Sequence, residues 1–341
     1  MNVLVTGGNG YIGTHTIIAL HEAGHRPIII DNLSNSNSES LSRVEHLAGE
    51  TKFPFYQADL RDVCAVDQIF KEHTVDSVIH FAGLKAVGES SDWPLKYYSN
   101  NLESTLSLLK AMENHGCYRL VFSSSATVYG VPQTLPLTEE HPLSATNPYG
   151  RTKLMIERIL NDLAQSDPRW CIALLRYFNP VGAHQSGQIG ESPLGPPNNL
   201  FPCILQFMTG VRPELTIFGA DYPTSDGSGV RDYLHVCDLA KGHIAALKNL
   251  NDLNGAIPIN LGSGKGYSVM EVIKMFKDVS GRNITYKIGA RRIGDVASCY
   301  ADSSKAIKML GWKSEFSLRQ MVEDSLRWQA FENGSNDLGG W

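Results

Sequence analysis

Tyr149 and Lys153 stand four residues apart in the stretch NPYGRTK, residues 147–153. On a helix this puts a phenol, with an ordinary pKa of about 10, one turn from an ammonium. A neighbouring cation favours the phenolate and lowers the phenol's pKa, which readies it to take a proton near neutral pH. An isolated YxxxK pair is more often two solvated side chains, so the rest of the chain has to decide. The run Ser123, Ser124, Ser125 in FSSSATVYG offers hydroxyls beside the pair. Asn147 as cap and Pro148 as first helical residue predict a helix opening here.

A second chemical feature lies at the start of the chain. VLVTGGNGYIGTHTIIAL reads as strand, turn and helix, with Gly7, Gly10 and Gly13 spaced as GxxGxxG. A dinucleotide turn needs glycines where backbone approaches a pyrophosphate and where helix meets strand, with the helix N-terminus facing the phosphates. Asp31 ends the next apolar run. A carboxylate there accepts from both ribose hydroxyls and repels a 2′-phosphate, which favours NAD over NADP. Its bland alternative is opening the turn DNLSNSNS. Asp59 in QADLRD follows the third apolar run, in reach of an adenine, and Ala82, Gly83 and Lys85 follow the fourth. Ligands of open α/β sheets bind along that carboxyl edge.

The elements that position these residues alternate. Apolar runs at 2–7, 26–31, 52–59, 75–83, 118–125 and 170–178 predict strands, and 11–24, 36–49, 61–73, 92–115 and 149–166 predict helices. Continuous apolar strands alternating with helices predict an α/β fold, a doubly wound parallel sheet of Rossmann type. The Gly-, Pro- and Asn-rich stretch 178–199 predicts loop, and shorter elements follow it. The expected division is a dinucleotide domain over 1–180 and a smaller α+β domain over 181–341, with some segments returning to the first. The polar, Gly-rich tail 331–341 reads as loosely held.

Hydrophobic residues make up 42% of the 341 and charged residues 19%, as in an ordinary globular protein with a substantial core. A net charge of -5 without a basic stripe argues against nucleic acid as partner. The longest apolar runs are strand-sized, well short of the roughly 20 residues of a membrane span. MNVLVTGG begins directly as a strand, so export is not expected. The six cysteines form no CxxC pair and read as free, mostly buried thiols of a reducing cytoplasm.

TGGNGYIG, FSSSATVYG and YGRTK resemble the extended short-chain dehydrogenase/reductase superfamily. HFAGLKAVGES, LLRYFNPVGAH, FGADYPTSDGSGVRDYLHVCDLA and NLGSGKGYS narrow the resemblance to the UDP-glucose (UDP-galactose) 4-epimerases, along nearly the whole chain. The resemblance implies a redox-neutral cycle on tightly held NAD. Tyr149 takes the proton of the sugar 4-hydroxyl as hydride leaves C4, the 4-keto sugar turns over, and hydride and proton return. It implies that Ser125 bonds O4 and that Lys153 holds the nicotinamide ribose and acidifies Tyr149.

On the cofactor side the resemblance adds Tyr11, Ile12, Asn32, Asn35 and Leu60 to the glycines and aspartates. It adds Phe81, Asn100, Ser123 and Tyr177 around Ala82, Gly83 and Lys85. On the substrate side Asn179, Asn199, Arg231, Arg292 and Asp295 fall on UDP-sugar-binding positions, joined by Lys85, Leu200, Thr216, Phe218 and Tyr233. Two arginine forks suit a pyrophosphate. A cytoplasmic homodimer without a metal, supplying glycan or surface-polysaccharide precursors, is the family expectation.

Within that family the position of Cys299 borders the sugar, aromatic in strict UDP-hexose enzymes and small in those that take N-acetylhexosamines. A cysteine there implies interconversion of UDP-GlcNAc and UDP-GalNAc as well as UDP-Glc and UDP-Gal, with a strict hexose epimerase as the alternative. A nucleotide-sugar 4,6-dehydratase fits less well, because Ala126-Thr127 stand where those enzymes resemble one another in carrying Asp-Glu. A nucleotide-sugar decarboxylase or plain reductase ranks lower still. A non-catalytic NAD-binding sensor could dispense with Tyr149 and Lys153.

Overall fold

The computed structural model describes residues 1–195, 197–292 and 294–334; most of the tail expected to be loose lies outside them. In the first half β1 (Asn2–Thr6) runs into α1 (Tyr11–Glu22), β2 (Arg26–Asp31) into α2 (Ser38–Leu47), and β3 (Phe55–Gln57) into α3 (Val63–Glu72). Then β4 (Ser77–His80) leads to α4 (Val87–Asp92), α5 (Pro94–Tyr98) and α6 (Ser104–Asn114), and β5 (Arg119–Ser125) leads to α7 (Pro148–Ser166). After β6 (Cys171–Tyr177) and β7 (Asn179–Val181) come α8 (Leu200–Met208), β8 (Thr216–Phe218), β9 (Val230–His235), α9 (Val236–Asn249) and β10 (Gly255–Leu261). The chain ends through β11 (Gly266–Ser268), α10 (Val269–Ser280), β12 (Lys287–Gly289), β13 (Ser298–Cys299), α11 (Ser304–Leu310) and α12 (Leu318–Glu332).

Seven strands form one parallel sheet in the order β10-β6-β5-β4-β1-β2-β3. Successive side chains of a strand point to opposite faces, so a sheet covered on both sides needs apolar residues at every position. Val3, Val5, Ile29, Ile79, Val121 and Leu175 enter the core on the α1 and α9 side. The alternating Leu4, Ile28, Ile30, Val78, Leu120, Phe122 and Leu174 enter the other. The strand order turns back between β1 and β4, so a crevice opens at their carboxyl ends.

Three second-half segments, α9, β10 and α11, belong to this sheet and its cover, because β10 pairs in parallel with β6 along Gly255–Leu261 and Ala306 and Leu310 of α11 join the same core. The rest of the second half builds a smaller unit. There β9 pairs with β7, β11 and β13, β8 pairs with β12, and Phe201, Tyr233, Phe276, Met321 and Leu326 share a separate core.

The structure corrects two predicted elements. The helix expected over 92–115 is broken: Pro94 starts a new helix, and a π-turn spans Ser99–Glu103. There Asn101 turns its amide to Leu84, accepting from Leu84 N–H at 2.8 Å and donating to Leu84 O at 3.1 Å. The strand expected over 52–59 shrinks to three residues, since Pro54 has no N–H for the ladder. Of the six free thiols only Cys117 and Cys203 are buried; Cys64 is exposed and the other three are half-buried. Among the described residues no helix is long and apolar enough to cross a membrane.

Candidate active site

Asn147 caps α7 through its Oδ1, which accepts from Gly150 N–H at 2.8 Å, and Pro148 is the first helical residue. The inward face of α7 then carries Tyr149, 7% exposed, and Lys153, 6% exposed, to the carboxyl end of β5. The Ser125 hydroxyl stands near enough to the Tyr149 phenol to favour its ionised form. The Ser125 hydroxyl in turn accepts from Thr127 N–H at 3.2 Å and Thr127 Oγ1–H at 2.9 Å. Lys153 Nζ donates to the Ser123 carbonyl at 2.7 Å and stands 4.8 Å from the centre of the Phe122 ring.

The electrostatics differ from the simple expectation. Burial pushes the Tyr149 phenol up, and only the neighbouring Ser125 hydroxyl opposes it. Burial also pushes the Lys153 ammonium down, to about 8, against the pull of Glu157. Both groups are stripped of water and the ammonium spends itself on a carbonyl, so in the protein alone desolvation outweighs the attraction between them.

At the other end of the crevice the glycine turn is too tight for side chains. Gly7 has φ +65, and a Cβ there would sit 2.8 Å from Ala82 N. At Gly13 a Cβ would sit 2.6 Å from the carbonyl oxygens of both Gly7 and Gly8. Gly10 caps α1 without a side-chain bond, which leaves that helix end open to an anion. Asn9 Oδ1, buried at the same turn, has no protein partner. Asp31 Oδ2 accepts from Asn9 N–H at 3.0 Å, and Oδ1 accepts from Leu33 N–H and Ser36 Oγ–H, each at 2.9 Å. Asp31 therefore does open its turn, and Oδ2 keeps acceptor capacity facing the glycines. A narrow glycine cradle ending in a carboxylate fits a dinucleotide with a free 2′-hydroxyl, as NAD has.

The other cofactor-side candidates gather near this crevice with varied partners. The Arg61 side chain holds both Asp59 oxygens at 2.9 Å, and Arg61 N–H at 2.9 Å and Asn32 Nδ2 at 3.0 Å add bonds, so the expected adenine contact competes with four protein donors. The Arg61 bond holds that carboxyl below its usual range. Leu60 is buried beside it and Asn35 is exposed. Tyr11 turns its hydroxyl to the Gly182 carbonyl at 2.7 Å, while Ile12 packs into the α1 side of the core. Asn100 donates to Asn101 Oδ1 at 3.1 Å, beside Gly83. Tyr177 ends β6 in register with Ser125 of β5, and burial pushes its phenol well up.

The substrate-side candidates come from the smaller unit. Arg231 on β9 pairs in register with Cys299 on β13, and its guanidinium lies 3.4 Å from Asp295 Oδ1. Arg292 stacks 4.1 Å from the Phe218 ring and donates to Asn198 O at 3.3 Å. Thr216 shares β8 with Phe218, Asn179 pairs with Tyr233, and Asn199 caps α8 ahead of Leu200 with its side chain uncommitted to the helix. Cys299 and Ala126, the residue after Ser125, both flank the same small core of Val128, Tyr129, Leu137 and Phe178.

Three groups at the site escape sequence reasoning. His243 Nδ1 donates to the Leu239 carbonyl at 2.9 Å, so its Nε2 accepts from the Ser123 hydroxyl at 3.1 Å. Glu191 lies 3.4 Å from both Lys85 Nζ and Asn199 Nδ2. It is the only charged residue of the 182–199 loop, which is a readable signal. Glu157, buried one turn past Lys153, could have been found by extending the same helical stripe.

A covered parallel sheet, a glycine cradle and a buried Tyr–Lys pair beside a serine define the extended short-chain dehydrogenase/reductase architecture. The family model described as GDP-mannose 4,6 dehydratase matches residues 4–325. The UDP-glucose 4-epimerase of Bacillus subtilis (strain 168) is 56% identical over 330 residues, 97% of each chain. The crystal structure of UDP-glucose 4-epimerase from Bifidobacterium longum, in complex with NAD+ and UDP, is 51% identical with a TM-score of 0.94, covering 99% of this chain and 100% of that one. That from Stenotrophomonas maltophila, with NAD and formylated UDP-arabinopyranose, is 47% identical with a TM-score of 0.95, covering 98% and 100%. The chain belongs to the NAD-dependent UDP-glucose 4-epimerase family.

Proposed function

We propose that this enzyme interconverts UDP-glucose and UDP-galactose, with Tyr149 as the proton acceptor and donor at the sugar 4-hydroxyl. What supports this most is the burial of Tyr149 beside Ser125 at the carboxyl end of β5, with Lys153 one turn below. Bound NAD supplies reversible hydride acceptance at C4, which makes and consumes the 4-keto sugar. Ser125 orients O4, its own lone pairs fixed by Thr127. Burial keeps the phenol protonated in the protein alone, so a positively charged ring bound beside it and the Lys153 ammonium act together to bring its pKa down. Asp31, Asn32 and Asp59 border the adenosine, and Phe81, Ala82, Gly83, Lys85, Asn100, Ser123 and Tyr177 the nicotinamide half. Arg231 and Arg292 hold the pyrophosphate, for which they exchange Asp295 and Asn198.

The names of the relatives at 51–56% identity speak for the plain-hexose alternative over the N-acetyl reading. The broader reading keeps one specific support: Cys299 is small and flanks the same small core as Ala126, the residue after Ser125. One experiment tests both. Purified enzyme, without added NAD, is assayed on UDP-Gal and UDP-GalNAc, in wild type and Cys299→Tyr. UDP-Gal turnover is expected in both proteins. If the wider pocket admits the acetamido group, UDP-GalNAc turnover appears in the wild type and falls at least about tenfold in the variant, since steric exclusion separates substrates sharply. No turnover of UDP-Gal would remove the main reading, and N-acetyl turnover unchanged in the variant would remove the role of Cys299.

We also propose a cytoplasmic homodimer. Leu95 at 82% exposure, Trp93 at 66%, and Leu106 and Met155 at 41% each stand out on α5, α6 and α7 and the residue before them. Large apolar side chains gathered on neighbouring helices suit a partner. Sedimentation equilibrium should give twice the chain mass, and Leu106→Glu with Met155→Glu should give the chain mass.

A further inference from the structure

We propose that the buried Glu157–Arg176 pair is a positioning device for the proton-handling end, with Glu157 placing an anion one turn past Lys153 and tying the serine run to α7. This rests on the reading of Tyr149 and Lys153 given above. Tyr149, Lys153 and Glu157 recur every fourth residue of α7 and so form one inward stripe. Glu157 is 2% exposed and Arg176 is 3% exposed. Arg176 grips the carboxylate with two donors, Nε to Oε1 at 3.0 Å and Nη2 to Oε2 at 2.6 Å. The Ser124 hydroxyl donates to the same Oε1 at 2.5 Å. Arg176 Nη1 then reaches the Tyr129 hydroxyl at 3.2 Å, and Tyr129 donates to Asn260 Oδ1 at 2.6 Å. One carboxylate thus joins α7, β5 and β6, the elements that carry Lys153, Ser125 and Tyr177.

A buried ion pair is a costly way to hold three elements together, since apolar side chains of similar volume often serve as well. A third buried charge nearby gives the carboxylate a further purpose. The groups facing Lys153 are Tyr149 and Glu157 from its own helix, the Ser123 carbonyl and Phe122 ring from β5, and His80 from β4. His80 is held neutral, burial pushing it down to about 3. Glu157 is the one anion in this set. Arg176 approaches it from β6 and leaves its helix-borne neighbour as the cation that needs a counter-charge. Without Glu157, burial acts on the ammonium unopposed.

The test follows the Lys153 ammonium directly, by 13C-lysine NMR of the NAD-loaded enzyme, the resonance assigned with Lys153→Arg. Glu157→Gln should lower its titration midpoint by about one pH unit or more, and the alkaline limb of kcat should move down with it while KM for the sugar changes little. Because Glu157→Gln leaves Arg176 buried without its anion, where it also repels the ammonium, the double variant Glu157→Met with Arg176→Met removes both charges and should show a smaller shift of the same sign. A midpoint unmoved in either folded variant overturns the inference, although Tyr149 and Lys153 would keep their roles. Wild-type turnover by Tyr149→Phe would instead overturn the reading beneath it, whatever Lys153 does.

Discussion

Tyr149→Phe should lower kcat by about 10²–10⁴-fold, the usual worth of a positioned proton-transfer group, with KM nearly unchanged. The ring stays in place, because its burial does not depend on the hydroxyl. Ser125 keeps its two Thr127 donors in the variant, so the structural cost should stay at about 1 kcal/mol. Steady-state rates on UDP-galactose measure the effect, and the melting temperature separates it from unfolding. The near-UV absorbance of the bound cofactor adds an independent view, since the variant should no longer show the sugar-dependent change. A variant within tenfold of wild type would take Tyr149 out of the chemistry.

Gly13→Ala should yield enzyme purified largely without NAD. A Cβ at this position would lie 2.6 Å from the Gly7 and Gly8 carbonyl oxygens and 2.7 Å from the Gly8 carbonyl carbon. All three are backbone atoms, so no rotamer relieves the clash and the turn itself must open. Overpacking of this kind costs about 1–3 kcal/mol of stability, which a core of this size can absorb. The cradle for the pyrophosphate cannot absorb it, because its shape is the turn. Cofactor content per chain after purification, and the NAD concentration needed to restore turnover, should both show the loss. NAD retained at the wild-type ratio would mean that the turn does not hold the phosphates.

The parallel sheet is legible in the sequence because its strands need apolar residues on both faces, so 2–7, 26–31 and 118–125 stand out against any pattern of turns. The cap of α7 is legible for a similar local reason: Asn147, Pro148 and the following stripe obey short-range rules. The break between α5 and α6 is not, because the π-turn is fixed by Asn101 reaching across to Leu84 and Thr152. His243 is hidden likewise, meeting Ser123 over a long loop of chain. The charge state of Tyr149 is the instructive case. Spacing alone gives the attraction to Lys153, whereas the larger opposing influence, burial, depends on everything packed around the pair.

The placement of β10 beside β6 ties the fate of the two halves together. A chain cut after the sixth strand would leave β6 with a bare edge of unpaired amides and carbonyls and α1 without its α9 cover. Ribosomal synthesis must therefore run past residue 261 before the nucleotide platform can close. Until then the β6 edge of the nascent sheet is open to mispairing, so a segment of the second half protects the first.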